Sequence, residues 1–205
     1  MKTPLNAKTL KQHLAYSWWK YLLAALLAFG LVDVLYTVTA YRSPPEKVVE
    51  FYVYGMMDQE KLTAYMEKVR TTEMQDMEVL KPLQLLDDGY YGSMQLTTYL
   101  AVGEGDVYLL PREQFVTGAS NGAFLSLEDD AELMALFDRA GINLQNGWRK
   151  NAETGETHLC GIPAGKVPGL SEYAYATDGY LCVTINSGNE ENAVKFLRIM
   201  CRDCI

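Results

Sequence analysis

Hydrophobic and polar positions divide the chain into two regimes. Between Lys20 and Arg42 the stretch Tyr21 to Tyr41, YLLAALLAFGLVDVLYTVTAY, shows no polar face, and Asp33 is its one ionisable carboxyl or amine. At about 1.5 Å per residue a helix over this stretch reaches roughly 31 Å, the hydrocarbon thickness of a bilayer. Tyr16, Trp18, Trp19 and Tyr21 gather at one end and Tyr36 and Tyr41 at the other, where amphipathic rings settle at a membrane interface. Lys2, Lys8, Lys11 and Lys20 precede the stretch with no acid among them, which directs the N-terminus to the cytoplasm. The expected organisation is therefore a cytoplasmic segment at 1–20, a transmembrane helix at 21–41, a linker at 42–46 and an extracytoplasmic domain at 47–205. Two other readings compete. Leu22 to Val32 has the length of a signal-peptide core, with Val38-Thr39-Ala40 as a small-residue cleavage site, and a buried core helix is the other alternative. Asp33 is either a tolerated polar residue in the outer half or a contact for a partner helix.

Beyond Arg42 the apolar positions alternate or recur at helical spacing. Ser43-Pro44-Pro45 favours a stiff, extended exit. KVVEFYVY, Lys47 to Tyr54, is rich in β-branched and aromatic residues and ends at Gly55, so it predicts a strand. Asp58 is placed to cap a helix in which Leu62, Tyr65, Met66 and Val69 form one stripe. Met77 to Leu86 predicts a second strand, interrupted by Pro82 and followed by the turn Asp87-Asp88-Gly89. A helix is expected from Ser93 to Val102, stopped at Gly103. Asp106 to Leu110 reads as a short strand buried on both faces. Leu133, Leu136, Phe137 and Ala140 make another helical stripe, preceded by the acidic Glu128, Asp129 and Asp130 and closed by Gly141. Asn143 to Thr157 reads as a loop or an irregular hairpin. Tyr180 to Ile185 is the last strand, and Asn189 or Ser187 is placed to cap a final helix whose Ala193, Phe196, Leu197, Met200, Cys201 and Cys204 share a face. This alternation predicts an α/β fold, a three-layer domain around a mostly parallel sheet whose strand order the pattern leaves open.

Charge sharpens the picture. The chain carries 18 Lys+Arg against 26 Asp+Glu, a net charge of -8. From Ser43 onward 13 basic residues face 25 acidic ones, a net of -12. So acidic a domain has no surplus with which to neutralise phosphates, and nucleic acid is excluded as a partner.

The order of elements carries a resemblance. The succession from Val48 to Asp130, with AVGEGDVYLLPREQF and then GAFLSLEDD, resembles the first lobe of type II extracellular solute-binding proteins. In that lobe a helix ends in a glycine turn, an Asp opens a short apolar strand, and a leu-glu/asp-asp segment follows. GIPAG at Gly161 to Gly165 and TDGYLCVTINSGN at Thr177 to Asn189 look like the segment by which such chains re-enter the lobe. The resemblance implies a single extracytoplasmic lobe with a solute-binding-like scaffold. The chain departs from the family in two respects. It has room for one lobe plus insertions, so clamshell closure on a ligand is not carried over. Its first cysteine is Cys160, so the tether is a helix and not a lipidated cysteine.

Candidate chemistry is sparse. His158 is the one histidine of the exported part; with Cys160 two residues on it makes two potential ligands, which do not build a zinc site. Gly103-Glu104-Gly105 is no phosphate loop. Cys201-x-x-Cys204 has thioredoxin spacing, but it lies at the C-terminal end of a helix, where the dipole raises a thiol pKa, and Cys201 shares the apolar stripe. A buried pair directed at the sheet, near the strand carrying Cys182, is expected, with a structural disulfide the next alternative and redox catalysis the remote one. No metal, no cofactor and no enzymatic activity are expected. Ligands of open α/β sheets lodge beyond the carboxyl ends of strands. Tyr54, Tyr90 and Tyr91 fall at or just past the first two strands, and Arg112 falls past the third, where it can meet an anionic ligand. These four are the candidate ligand-binding residues. Two functions follow: a binding or sensing module, accessory to a membrane complex and taking a small molecule or a membrane-protein partner, or an interaction protein that keeps the scaffold without a ligand.

Overall fold

Alternation within β1 (Val48–Tyr54) sets the architecture of the larger unit. Val49, Phe51 and Val53 point to one face of the sheet, Tyr52 and Tyr54 to the other. β3 (Val107–Leu110) and β7 (Tyr180–Val183) divide in the same way: Val107, Leu109, Leu181 and Val183 join the first face, Tyr108, Leu110, Tyr180 and Cys182 the second. Strands covered on both sides must be apolar throughout, and these are. The computed structural model describes residues 7–175 and 178–205. Lys2 and Thr177, which figure in the sequence patterns above, lie outside them. The chain forms two compact units, Met1–Arg42 and Ser43–Ile205.

β2 (Val79–Leu85) and β6 (Ile162–Pro163) complete a sheet ordered β2-β1-β3-β7-β6. β1 is parallel to β2 and β3, while β7 runs antiparallel to both β3 and β6, so one reversed strand sits in a mostly parallel sheet. Pro82 is tolerated because β2 is an edge strand. On the first face lie α2 (Gln59–Thr72), α5 (Ala131–Arg139) and α6 (Glu190–Cys204), which bury Leu62, Met66, Leu133, Phe137, Phe196 and Met200. On the second lie α3 (Tyr90–Val102) and α4 (Arg112–Ser120), which bury Leu96, Phe115 and Ala119. The domain is thus a three-layer α/β sandwich around a mixed, mostly parallel sheet.

Several local expectations are met. Asp58 Oδ1 accepts the Lys61 N–H at 3.1 Å and caps α2. Gly103 ends α3 at φ 69°, in the left-handed region that favours glycine. The segment after Asn143 does form a hairpin, β4 (Trp148–Lys150) with β5 (Thr157–Leu159). Others are corrected. α3 begins at Tyr90, a turn earlier than its periodicity suggests. α4 and β6 have no counterpart in the pattern. Neither Ser187 nor Asn189 caps α6 by its side chain: Asn189 Nδ2 donates to the Val48 C=O at 2.6 Å, fastening the start of β1, and the Ser187 hydroxyl accepts the Asn189 N–H. Cys182 faces the α3/α4 layer, on the opposite side of the sheet from Cys201 and Cys204.

In the smaller unit, α1 (Ala7–Thr39) extends further toward the N-terminus than the predicted span. Its stretch Ala15–Thr39 is long and apolar enough to cross a membrane, and none of that apolar window is buried, as it would be in a core helix.

Candidate functional site

β1 leads into α2 on one face of the sheet and β2 leads into α3 on the other. The first crossover carries the chain from β1 to β2, and the second carries it back past β1 to β3, so the winding reverses between β1 and β3 and the expected crevice lies beyond their carboxyl ends. The loop after β1 is held from both sides. The Gly55 N–H donates to the Leu85 C=O at 2.9 Å, and Gln84 Nε2 donates to the Gly55 C=O at 2.7 Å. The Asp58 N–H donates to the Tyr173 C=O at 2.8 Å, and the Tyr175 N–H donates to the Met56 C=O at 3.0 Å. With its backbone fixed, this rim nonetheless leaves Met56, Leu86 and Tyr175 exposed.

Tyr54 ends β1 with only 3% of its surface exposed, and its hydroxyl lies under the first turn of α3, where a Cβ added to Gly92 would stand 3.0 Å away. That hydroxyl is buried without a hydrogen-bond partner. So is Oε1 of Gln114, on the first turn of α4 just past β3. Among the described residues these are the two buried side-chain oxygens left unpaired, and they stand after the two strands that define the crevice. Each costs about 1–3 kcal/mol while unpaired, and since both are closed to solvent, a hydrogen-bonding group reaches them only when the first turn of α3 or the Gln114 side chain shifts. Gln114 also lines a groove of about 460 Å³ between α3 and α4, with Ser93, Leu96, Thr97, Thr117 and Gly118. α4 lies close over the sheet because residue 118 is glycine: a Cβ there would meet the Phe124 ring at 2.7 Å.

The four residues singled out from the sequence are only partly brought together. Tyr54 and the head of α3 are in contact through Gly92. Tyr90 and Tyr91 sit on that first turn, edge to face at 5.8 Å, and stand 76% and 73% exposed. Arg112 opens α4 and is exposed, and no hydrogen bond or ion pair joins it to the tyrosines among the described residues. Gln114, Met56 and Tyr175 were not legible. A glutamine inside PREQF carries no pattern, and an exposed Met or Tyr becomes informative only once its neighbours in space are known.

Elsewhere the chemistry is structural. His158 Nδ1 lies 2.7 Å from Glu128 Oε1 and 3.4 Å from Ser126 Oγ, and Nε2 lies 3.5 Å from Glu156. In a Ser-His-acid relay the serine gives its proton to a ring nitrogen left free to accept it; here Ser126 shares Nδ1 with the closer Glu128, and Nε2 faces a second carboxylate, Glu156. The hydrogen bond to Glu128, followed by that to Glu156, raises the His158 pKa. Glu128 Oε2 also accepts the Leu159 N–H, so the pair fastens β5 to the segment before α5. Cys201 and Cys204 are buried. Burial pushes both thiols up, Cys204 to about 11, and Cys160 to about 11 on the other face. Among the described residues no cluster of His, Cys, Asp or Glu is arranged to hold a metal.

No family model matches the chain, and no curated protein does. Solved structures resemble parts of it. An extracellular solute-binding protein family 1 member from Alicyclobacillus acidocaldarius is 19% identical at a TM-score of 0.40, over 60% of this chain and 29% of its own. The N-glycan transport solute binding protein of Streptococcus pneumoniae is 17% identical at 0.41, over 57% and 24%. An uncharacterized protein of Listeria monocytogenes is 17% identical at 0.37, over 45% and 23%. The chain thus spans less than a third of the length of each of these proteins.

Proposed function

We infer that this chain is a tethered module that binds a small polar ligand outside the cell without transforming it, as an accessory to a membrane complex. In this reading residues 1–20 stay in the cytoplasm, 21–41 span the membrane, 42–46 link, and 47–205 form the outward domain. The observation that carries the binding role is the pair of unpaired buried oxygens, Tyr54 Oη and Gln114 Oε1, at the point where the sheet's winding reverses. The exposed Tyr90 and Tyr91 supply apolar contact beside it, and Arg112 supplies positive charge. A second reading, an interaction protein without a ligand, draws support from the uncharged outer face of α3 described below.

A metabolite screen by thermal shift on the full chain in detergent separates the two. A ligand present at a hundredfold its Kd adds about 2.7 kcal/mol, which for a domain of this size raises Tm by about 5–10 °C. The ligand reading expects such a shift from at least one polar class, reduced in Tyr54→Phe and, for an anion, in Arg112→Ala. Flat melting curves across every class favour the interaction protein.

A further inference from the structure

α3 is built the wrong way round for a surface helix. Its sheet-facing side buries only Gly92 and Leu96. At 100° per residue, Tyr90, Tyr91, Met94, Thr98, Ala101 and Val102 fall on the side opposite Leu96, and all six are exposed. From Tyr90 to Val102 there is no charged residue, in a domain that carries a net -12. The hydroxyl of Thr98 donates to the Met94 C=O at 2.9 Å, so the residue turns a methyl outward. An exposed helix face that presents Tyr, Met and Val with no charge marks a contact surface.

We propose that α3 is a self-association surface, against which the α3 of a second copy of this chain packs. An uncharged face offers no charge for a partner to recognise; what complements it is another uncharged apolar helix. Among the described residues of 43–205, α3 is the one α-helix with no charged side chain. The remaining surface carries the whole net charge of -12, so two copies meeting there repel on average. A two-fold axis through the middle of the helix makes the patch complementary to itself, Met94 and Thr98 lying nearest the axis and Tyr91 and Val102 flanking them. Two tyrosines about three-quarters exposed, with the aliphatic positions, offer roughly 500 Å² per copy. The resulting total of about 1,000 Å² lies at the lower bound for a specific interface, so the dimer is reversible. The inference rests on the exposed face of α3 and not on a ligand, and it shares Tyr90 and Tyr91 with the proposed ligand site.

All four native cysteines are buried, so Thr98→Cys places one exposed thiol among the described residues in the middle of the seam. Treated with a short bis-maleimide in native membranes, the T98C chain is expected to yield a covalent dimer at twice the chain mass. Thr71→Cys, exposed on α2 across the sheet, should yield none. Adding Met94→Glu to T98C should lower the yield by about tenfold, since a carboxylate would have to enter an apolar seam. Added salt should raise the yield by screening like charges. Crosslinking of T98C no better than T71C, a product carrying a different protein's mass, or a yield that falls with salt would each overturn the proposal.

Discussion

Replacing Asp106 by Asn should remove a loss of stability that the native protein suffers as pH rises from 4 to 7.5. Asp106 opens β3, is almost wholly buried, and accepts the Glu50 N–H on Oδ2 at 2.8 Å, which joins the amino ends of β1 and β3. Burial pushes its carboxyl up to about 6 from 3.8, with Glu50 and Glu190 adding like charge. A carboxyl that holds its proton more tightly in the folded state contributes stability below about pH 4, and that contribution is lost as pH rises through 6. At 1.36 kcal/mol per pH unit, ionising it in place costs about 3 kcal/mol. Asparagine keeps the acceptor oxygen for Glu50 and cannot ionise. Relative to wild type, Asp106→Asn should therefore gain about 3 kcal/mol between pH 4 and pH 7.5, or about 6–12 °C of Tm for a domain of this size. Thermal melts of the full chain in detergent, followed by circular dichroism across that range, read the difference directly. If the two Tm curves stay parallel, Asp106 titrates as an ordinary exposed carboxyl and the reasoning about its burial is wrong.

Other perturbations test other parts of the structure. Gly118→Ala puts a methyl into the Phe124 ring, and overpacking of that kind should cost about 1–3 kcal/mol, seen as a lower Tm. Tyr54→Phe removes an unpaired buried hydroxyl and should leave the ligand-free protein as stable or up to about 1–2 kcal/mol more stable; a marked loss would reveal a hydrogen bond to that oxygen. Replacing Cys201 and Cys204 together by Ser should cost about 1–3 kcal/mol by placing hydroxyls in the core, while in the native protein both thiols should resist alkylation near pH 7. Rapid labelling of either, together with a disulfide-exchange turnover lost in the double variant, would restore the redox alternative.

What was readable in the sequence follows from what periodicity can encode. β1, β3 and β7 are buried on both faces, so their apolar runs are continuous, and α2 and α6 are amphipathic, so their stripes show. α4 was invisible because REQFVTGAS mixes a β-branched residue, a threonine and a glycine; it is helical because Gly118 and Phe115 fit the sheet, which is a tertiary reason. β6 is too short to have a period. Residue type makes Asn189, like Ser187, a candidate cap, and only the fold shows the nearby Val48 carbonyl claiming its side chain. The candidate site was legible where strand ends announce themselves, at Tyr54 and Arg112. It was illegible at Gln114, whose significance is that a buried oxygen lacks a partner.

The claim on which the rest depends is that the domain stands outside the cell on α1. Protease added to intact spheroplasts tests it in one step. The account predicts that residues 43–205 are shaved away and a small membrane-bound stub remains. Full protection of the domain would contradict it, as would recovery of a soluble, already processed domain before any protease is added.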